Sequence, residues 1–277
     1  MVEQCTETQD GFRLYALYGH STVLALVRDW HLTTLSANHK LEDMRERTRA
    51  IFNAAMRSFI ATGKPVTSQQ LFKDHSFGIK PAMIRWELNT LSQSGYFYQT
   101  HPSGGRLPTD KAYRTFIKDL LKDQEENPTQ EVRGADVLRE GVADREWKEF
   151  ISILSDQLQA FSFGYEPGRG QVFESGLSTL FDQLDIGTRD LLLEIVEDIE
   201  GLPDRISANR SWWEEDRSWP QIFIGSNPFA RSRHVAVVAE RLCTDDGDFY
   251  FLALGPKRMD YEKSLRILGS LREFEHI

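Results

Sequence analysis

Lys80, Met83, Arg85, Trp86 and Asn89 fall within ten residues of one segment, KPAMIRWELN, and their types suit the edges of base pairs. Arginine carries a donor fork that matches guanine O6 and N7, and asparagine pairs a donor with an acceptor as adenine requires. Lysine supplies a point charge for phosphate, while methionine and tryptophan offer apolar surface. Further along, Ser103, Gly104, Gly105 and Arg106 make a turn whose glycines let backbone come close to a phosphate. The planar Arg106 guanidinium matches phosphate or a narrow minor groove. Upstream, Thr67 and Ser68 open a short helix and can donate to a phosphate beside its backbone N–H groups. Each group also has a plainer role: Arg85 an ion pair with Glu87 or Asp74, and Trp86 packing under a second copy or under the N-terminal segment. The glycines would then supply only a left-handed turn, and Thr67 or Ser68 only a helix cap.

Charge divides along the chain in a way that favours the first set of roles. The net charge is -9, yet residues 44–122 hold 13 Lys and Arg against 5 Asp and Glu, while residues 123–277 hold 17 against 31. A basic segment joined to an acidic remainder is the electrostatic footprint of a nucleic-acid-binding module attached to something else.

The elements that must position these residues are legible from Met44 onward. Ile51, Phe52, Ala55, Met56, Phe59 and Ile60 recur at helical spacing, and Gly63 and Pro65 stop that helix. A short second helix follows Thr67. A third begins at Pro81, where a missing N–H costs nothing, and ends near Gly95. In it Ile84, Leu88 and Leu91 form one apolar stripe, and Ala82, Trp86, Asn89 and Gln93 lie roughly opposite. YFYQT reads as a strand, His101 to Arg106 as a turn, Leu107 as a return strand, and Thr109 as the cap of a fourth helix. Helix, helix, helix, hairpin, helix is the order of a winged helix-turn-helix.

Residues 123–145 are polar and broken by Pro128, Gly134 and Gly141, which predicts a linker with at most a helical turn. From Trp147, WKEFISILSDQLQAFSF predicts an amphipathic helix through Phe161, GYEPGRG a loop, and LSTLFDQL and GTRDLLLEIVEDIEGLP two further helices. QIFIG, RHVAVVAERL and FYFLALG read as strands, and DYEKSLRILGSLREF as a last helix capped by Asp260, with Tyr261 packed on the sheet. The expected class is multidomain α+β: an unassigned extension over 1–43, a winged helix over 44–122, a linker over 123–145 and a second α+β domain over 146–277.

Cys5 and Cys243 make no metal-like spacing with the histidines, so neither a disulfide framework nor a zinc site is expected. The sequence lacks a nucleophile elbow, a phosphate-binding loop and a dinucleotide fingerprint, and no enzymatic activity, cofactor or metal is expected. No apolar run reaches the roughly 18–20 residues that span a bilayer, and MVEQCTETQDGF lacks the regions of a signal peptide, which predicts a soluble cytoplasmic protein. Trp212, Trp213 and Trp219 crowd SWWEEDRSWP as a core lid or a partner surface.

Four stretches carry a resemblance: FIATGKPVTSQQL, KPAMIRWELNTLSQSGYFYQTHPSGGRLPTDKAYR, FIGSNPF and LGPKRMDYEKSLRIL. On these the chain resembles the bacterial heat-inducible transcription repressors of the HrcA family. The resemblance implies an N-terminal winged helix, a GAF-like second domain that dimerises or regulates, and a homodimer on an inverted-repeat operator before chaperone genes. It further implies that the GroEL chaperonin supports repressor folding. This chain departs from the family where the reading helix usually starts Ser-Pro-Ala-Thr-Ile-Arg-Asn, because Lys80, Met83 and Trp86 replace the Ser, Thr and Asn. The hairpin turn reads His101-Pro-Ser-Gly-Gly-Arg106 in place of His-Thr-Ser-Ala-Gly-Arg, and Ala112 stands where Gly is usual. The C-terminal part is shorter than in the family, which implies a reduced dimerisation insert. Two other functions fit the same residues: a small-molecule-sensing regulator unrelated to heat, and a protein-interaction module that works through Trp86.

Overall fold

A computed structural model of the chain describes residues 6–7, 13–14, 44–101, 104–126, 135–184, 187–214, 220–225, 227–244 and 247–271. Met1–Asp43 and Met44–Ile277 are separate compact units. In the first, Thr6–Glu7 (β1) pairs antiparallel with Arg13–Leu14 (β2).

The second unit begins with Glu46–Thr62 (α1), Ser68–Asp74 (α2) and Pro81–Gln93 (α3), then Phe97–Tyr98 (β3), Leu107–Pro108 (β4) and Asp110–Glu126 (α4). Gly63 ends α1 in the left-handed conformation, as the stop predicts. Ile51, Phe52 and Met56 of α1 meet Ile84, Leu88 and Leu91 of α3 and Phe116 of α4 in one core. The Thr109 hydroxyl donates to the Gly95 carbonyl and accepts from the Ala112 N–H, so one residue ties the C-terminal end of α3 to the start of α4. Lys111 completes that tie by donating to the Ser94 carbonyl at 2.7 Å, where the helix end gathers negative charge.

Ala135–Ala143 (α5) lies within the stretch expected as linker, and its Leu138 is fully buried in the same core. Trp147–Leu158 (α6) follows, then Phe161–Glu166 (β5), Gln171–Ser175 (β6), Leu177–Gln183 (α7), Arg189–Glu200 (α8), Leu202–Ala208 (α9) and Arg210–Glu214 (α10). The chain returns through Gln221–Ile224 (β7), Val235–Thr244 (β8) and Gly247–Pro256 (β9) to Tyr261–Gly269 (α11). The strands form an antiparallel sheet in the order β6-β5-β9-β8-β7.

The sheet corrects one expectation. Residues 161–166 are not the end of a helix followed by a loop. Gln159 adopts φ 52° and stops α6, and β5 then pairs with β6 on one side and β9 on the other. Phe161, Phe163 and Tyr165 alternate with Ser162, Gly164 and Glu166, the period-2 signal of a strand, and the expected helix overran its start. The two faces separate cleanly in β9: Phe249, Phe251 and Ala253 join the first core under α6, while Tyr250, Leu252 and Leu254 join a second core under α7 to α9. Gly164 is required by close approach, because a Cβ there would lie 2.4 Å from the Phe249 ring and 2.9 Å from Ile151. Trp212 and Trp213 close the second core on Phe229, each with centroids 5.2 Å away, whereas Trp219 lies outside the described residues.

The loop GPKRMDY joins the sheet to the helices. Asp260 caps α11 by accepting from the Lys263 N–H. Lys257 reaches Asp110 at the start of α4 at 2.6 Å, Arg57 of α1 reaches Glu262 at 2.6 Å, and Arg114 donates to the Ile224 carbonyl. The Tyr261 ring meets Tyr113 of α4 edge-on at 6.4 Å, so it packs on the helical layer, and its hydroxyl donates to the Lys257 carbonyl. Burial raises the pKa of both phenols above the ordinary 10.0, with Asp110 adding to the effect on each. Below pH 10 both are protonated in the folded and unfolded chain, so their contribution is intact. Above it the unfolded chain ionises first and stability falls. Denaturant titrations from about pH 9 to 11 are expected to show that decline, and Tyr113→Phe is expected to make it shallower.

Candidate nucleic-acid interface

Pro81 starts α3 with Lys80 as its N-cap, and the apolar stripe turns the opposite face outward. Met83 is 42% exposed and Trp86 52% exposed, and Lys80, Arg85 and Asn89 are exposed beside them. Neither Lys80 nor Arg85 has a side-chain hydrogen bond or ion pair among the described residues. Arg85 therefore does not pair with Glu87, whose partners lie elsewhere.

Glu87 is 1% exposed and faces α1. Its Oε1 accepts from Arg47 Nε and Nη2 at 3.1 and 3.0 Å, and its Oε2 accepts from the Thr48 hydroxyl at 2.9 Å. A buried carboxylate persists only when so paired. This arrangement holds the inner side of α3 against α1 while leaving the outer side free. Sequence reasoning treated Glu87 only as a neighbour of Arg85. The available signal was its phase: it stands three residues after Ile84 and four before Leu91, within the apolar stripe.

The hairpin behaves differently from its sequence-based expectation. Arg106 is 5% exposed; its backbone pairs with Val66, N–H to carbonyl in both directions at 2.8 and 2.9 Å, and its side chain donates to Asn89 Oδ1. It thus ties the approach to α2, the return strand and α3 together, and does not project outward. Burial and then the nearby Arg85 charge lower its pKa from the ordinary guanidinium value. Gly105 is needed for packing, since a Cβ there would lie 2.6 Å from the Pro65 backbone, and its φ is not in the left-handed region. The Gly104 N–H closes a turn on the His101 carbonyl, and its own carbonyl accepts from Gln99. Ser103 lies outside the described residues.

Thr67 is the N-cap of α2, its hydroxyl accepting from the Gln70 N–H at 3.2 Å, and Ser68 is buried. Of the expected residues, then, Lys80, Met83, Arg85, Trp86 and Asn89 share one outward face, and Arg106 supports it from beneath. Among the described residues no group of three or more His, Cys, Asp or Glu is placed to hold a metal ion, and no described helix is long and apolar enough to cross a membrane.

Fold and surface together define a mixed α+β chain that presents the basic outer face of one helix beside a short hairpin. Within that class it resembles the heat-inducible transcription repressor HrcA. It is 46% identical over 82 residues to that protein of Synechococcus sp. (strain JA-2-3B'a(2-13)), 30% of this chain and 21% of that one. It is 43% identical over 75 residues to HrcA of Beutenbergia cavernae, 27% of this chain and 21% of that one. Against HrcA of Nocardioides sp. it is 37% identical over 99 residues, 36% of this chain and 29% of that one. The chain thus spans between a fifth and a third of the length of these relatives. No protein-family profile matches it. A crystal structure described as that of a hypothetical protein shares the fold, with a TM-score of 0.68 at 15% identity over 84% of this chain and 98% of that one.

Proposed function

We propose that this chain is a dimeric transcription repressor that binds an inverted-repeat operator upstream of chaperone genes. Residues 44–122 act as a winged helix, with α3 in the major groove. Residues 146–277 act as a GAF-like regulatory and dimerisation domain, and residues 123–145 as their junction. The observation that carries this reading is the outward face of α3, where Lys80 and Arg85 stand unpaired in the basic part of an otherwise acidic chain. The similarity to HrcA supports it. Lys80 addresses a phosphate, and Arg85 forks onto a guanine or a phosphate beside it. Thr67 and Gly104 bring backbone toward the strands, while Arg106 acts from beneath. In a dimer the two α3 helices lie about one helical turn of DNA, or a multiple of it, apart.

Equilibrium binding of the full chain to the DNA preceding a chaperonin operon tests this. The association constant is expected to fall steeply with salt as phosphate contacts release counterions. Arg85→Ala is expected to weaken specific binding by about 5- to 150-fold, the range for one good base contact. A salt-independent affinity would sink the proposal.

A further inference from the structure

The outward face of α3 carries more hydrogen-bond donors than acceptors, since Lys80 and Arg85 only donate. Buried Arg106 donates to Asn89 Oδ1 and takes one of its two lone pairs, so the amide still offers two N–H donors beside a single acceptor site. The one carboxylate of the helix, Glu87, is turned inward and consumed by Arg47 and Thr48. Between Lys80 and Asn89 the exposed face therefore presents no carboxylate, the acceptor that suits the amino group of cytosine.

A donor-rich face suits bases that present acceptors in the major groove, guanine with O6 and N7 and thymine with O4. Thymine alone adds an apolar group, its C5-methyl. Met83 and Trp86, three residues apart and therefore neighbours on the helix surface, expose two large apolar side chains on the same face as Asn89. Resting on α3 as the major-groove helix, we infer that this chain selects thymine. Met83 and Trp86 pack on the C5-methyl while Asn89, held by Arg106, donates to O4. A protein partner would also bury Met83 and Trp86, but the basic charge of residues 44–122 and the unpaired Lys80 and Arg85 favour a polyanion.

The test uses the full chain. Duplexes that it selects from a random pool are resynthesised with deoxyuridine, which lacks the methyl, or 5-bromodeoxyuridine, which replaces it with an apolar group of similar size, at each thymine in turn. At one or more thymines of each bound site, uracil is expected to lower affinity about fourfold, the factor for losing one methyl-sized apolar contact. Bromouracil is expected to restore it. In the double variant M83A/W86A the distinction between thymine and uracil is expected to vanish while the salt slope stays the same, since both side chains are exposed and neither touches phosphate as a cation. Salt-dependent binding in which uracil equals thymine at every position overturns thymine selection and leaves the DNA-binding proposal standing, as does a thymine preference that survives in M83A/W86A. Absence of salt-dependent binding to any duplex overturns both.

Discussion

Glu87→Ala is expected to destabilise the Met44–Ile277 unit by about 3 kcal/mol, the low end of the range for breaking a buried ion pair. The low end applies because Arg47 is 45% exposed and can return to water, whereas the Thr48 hydroxyl and the space beside it cannot. For a unit of this size the melting temperature should fall by roughly 6–12 °C. Glu87→Gln keeps an acceptor for Thr48 but turns an amide toward Arg47, and an intermediate loss is expected. A double-mutant cycle with Arg47→Ala should give a coupling on the order of 1–3 kcal/mol. Additive losses in that cycle would show that Arg47 and Glu87 do not stabilise the unit as a pair. On the proposed DNA-binding role, base discrimination should deteriorate with Glu87→Ala even at temperatures where the chain remains folded, because the pair anchors the inner side of α3 opposite Met83, Arg85 and Trp86.

A larger loss, about 3–5 kcal/mol, is expected for Asp198→Ala. This α8 carboxylate is 1% exposed and accepts three hydrogen bonds: Arg205 Nη1 at 2.7 Å, the Arg231 N–H at 2.9 Å and the Ser232 N–H at 2.8 Å. Arg205 Nη1 also donates to the Phe229 carbonyl, and Asn227 turns the chain by accepting from the N–H groups of Phe229 and Ala230. Alanine would leave a part-buried guanidinium without its counter-charge and two backbone donors unsatisfied, which is the expensive way to lose an interaction. Hydrogen exchange at the Arg231 and Ser232 amides should accelerate, and Phe229 should loosen from Trp212 and Trp213. The same loop follows Ile224, whose carbonyl receives Arg114 from α4, so the loss should be felt at the helical layer as well. An unchanged melting temperature together with unchanged exchange at those two amides would refute this role.

Local sequence was a reliable guide wherever one helix face alone was buried. The stripe Ile84, Leu88 and Leu91, the Pro81 start, the Gly63 stop and the Thr67 and Thr109 caps all appear as expected, because each depends on neighbours within four residues. Local sequence was misleading at residues 161–166, where the helical pattern of α6 runs almost directly into a strand whose aromatic alternation is only six residues long. It also failed to foresee the hidden side of the interface. Arg106 looked like an outward-reaching cation because nothing adjacent in sequence indicates that Val66 and Asn89 enclose it.

By itself, then, the sequence determined which residues could face outward on α3, since a helix with one apolar stripe has only one other side to offer. It also determined that this face lies in the basic part of the chain. Only the tertiary structure decided what those residues still have to give. Glu87 is withdrawn by Arg47 and Thr48, Asn89 is held by Arg106, and Met83 and Trp86 are left uncovered. The physical reason is that hydrogen-bonding capacity is spent on partners distant in sequence, 39 and 40 residues away for Glu87 and 17 for Asn89.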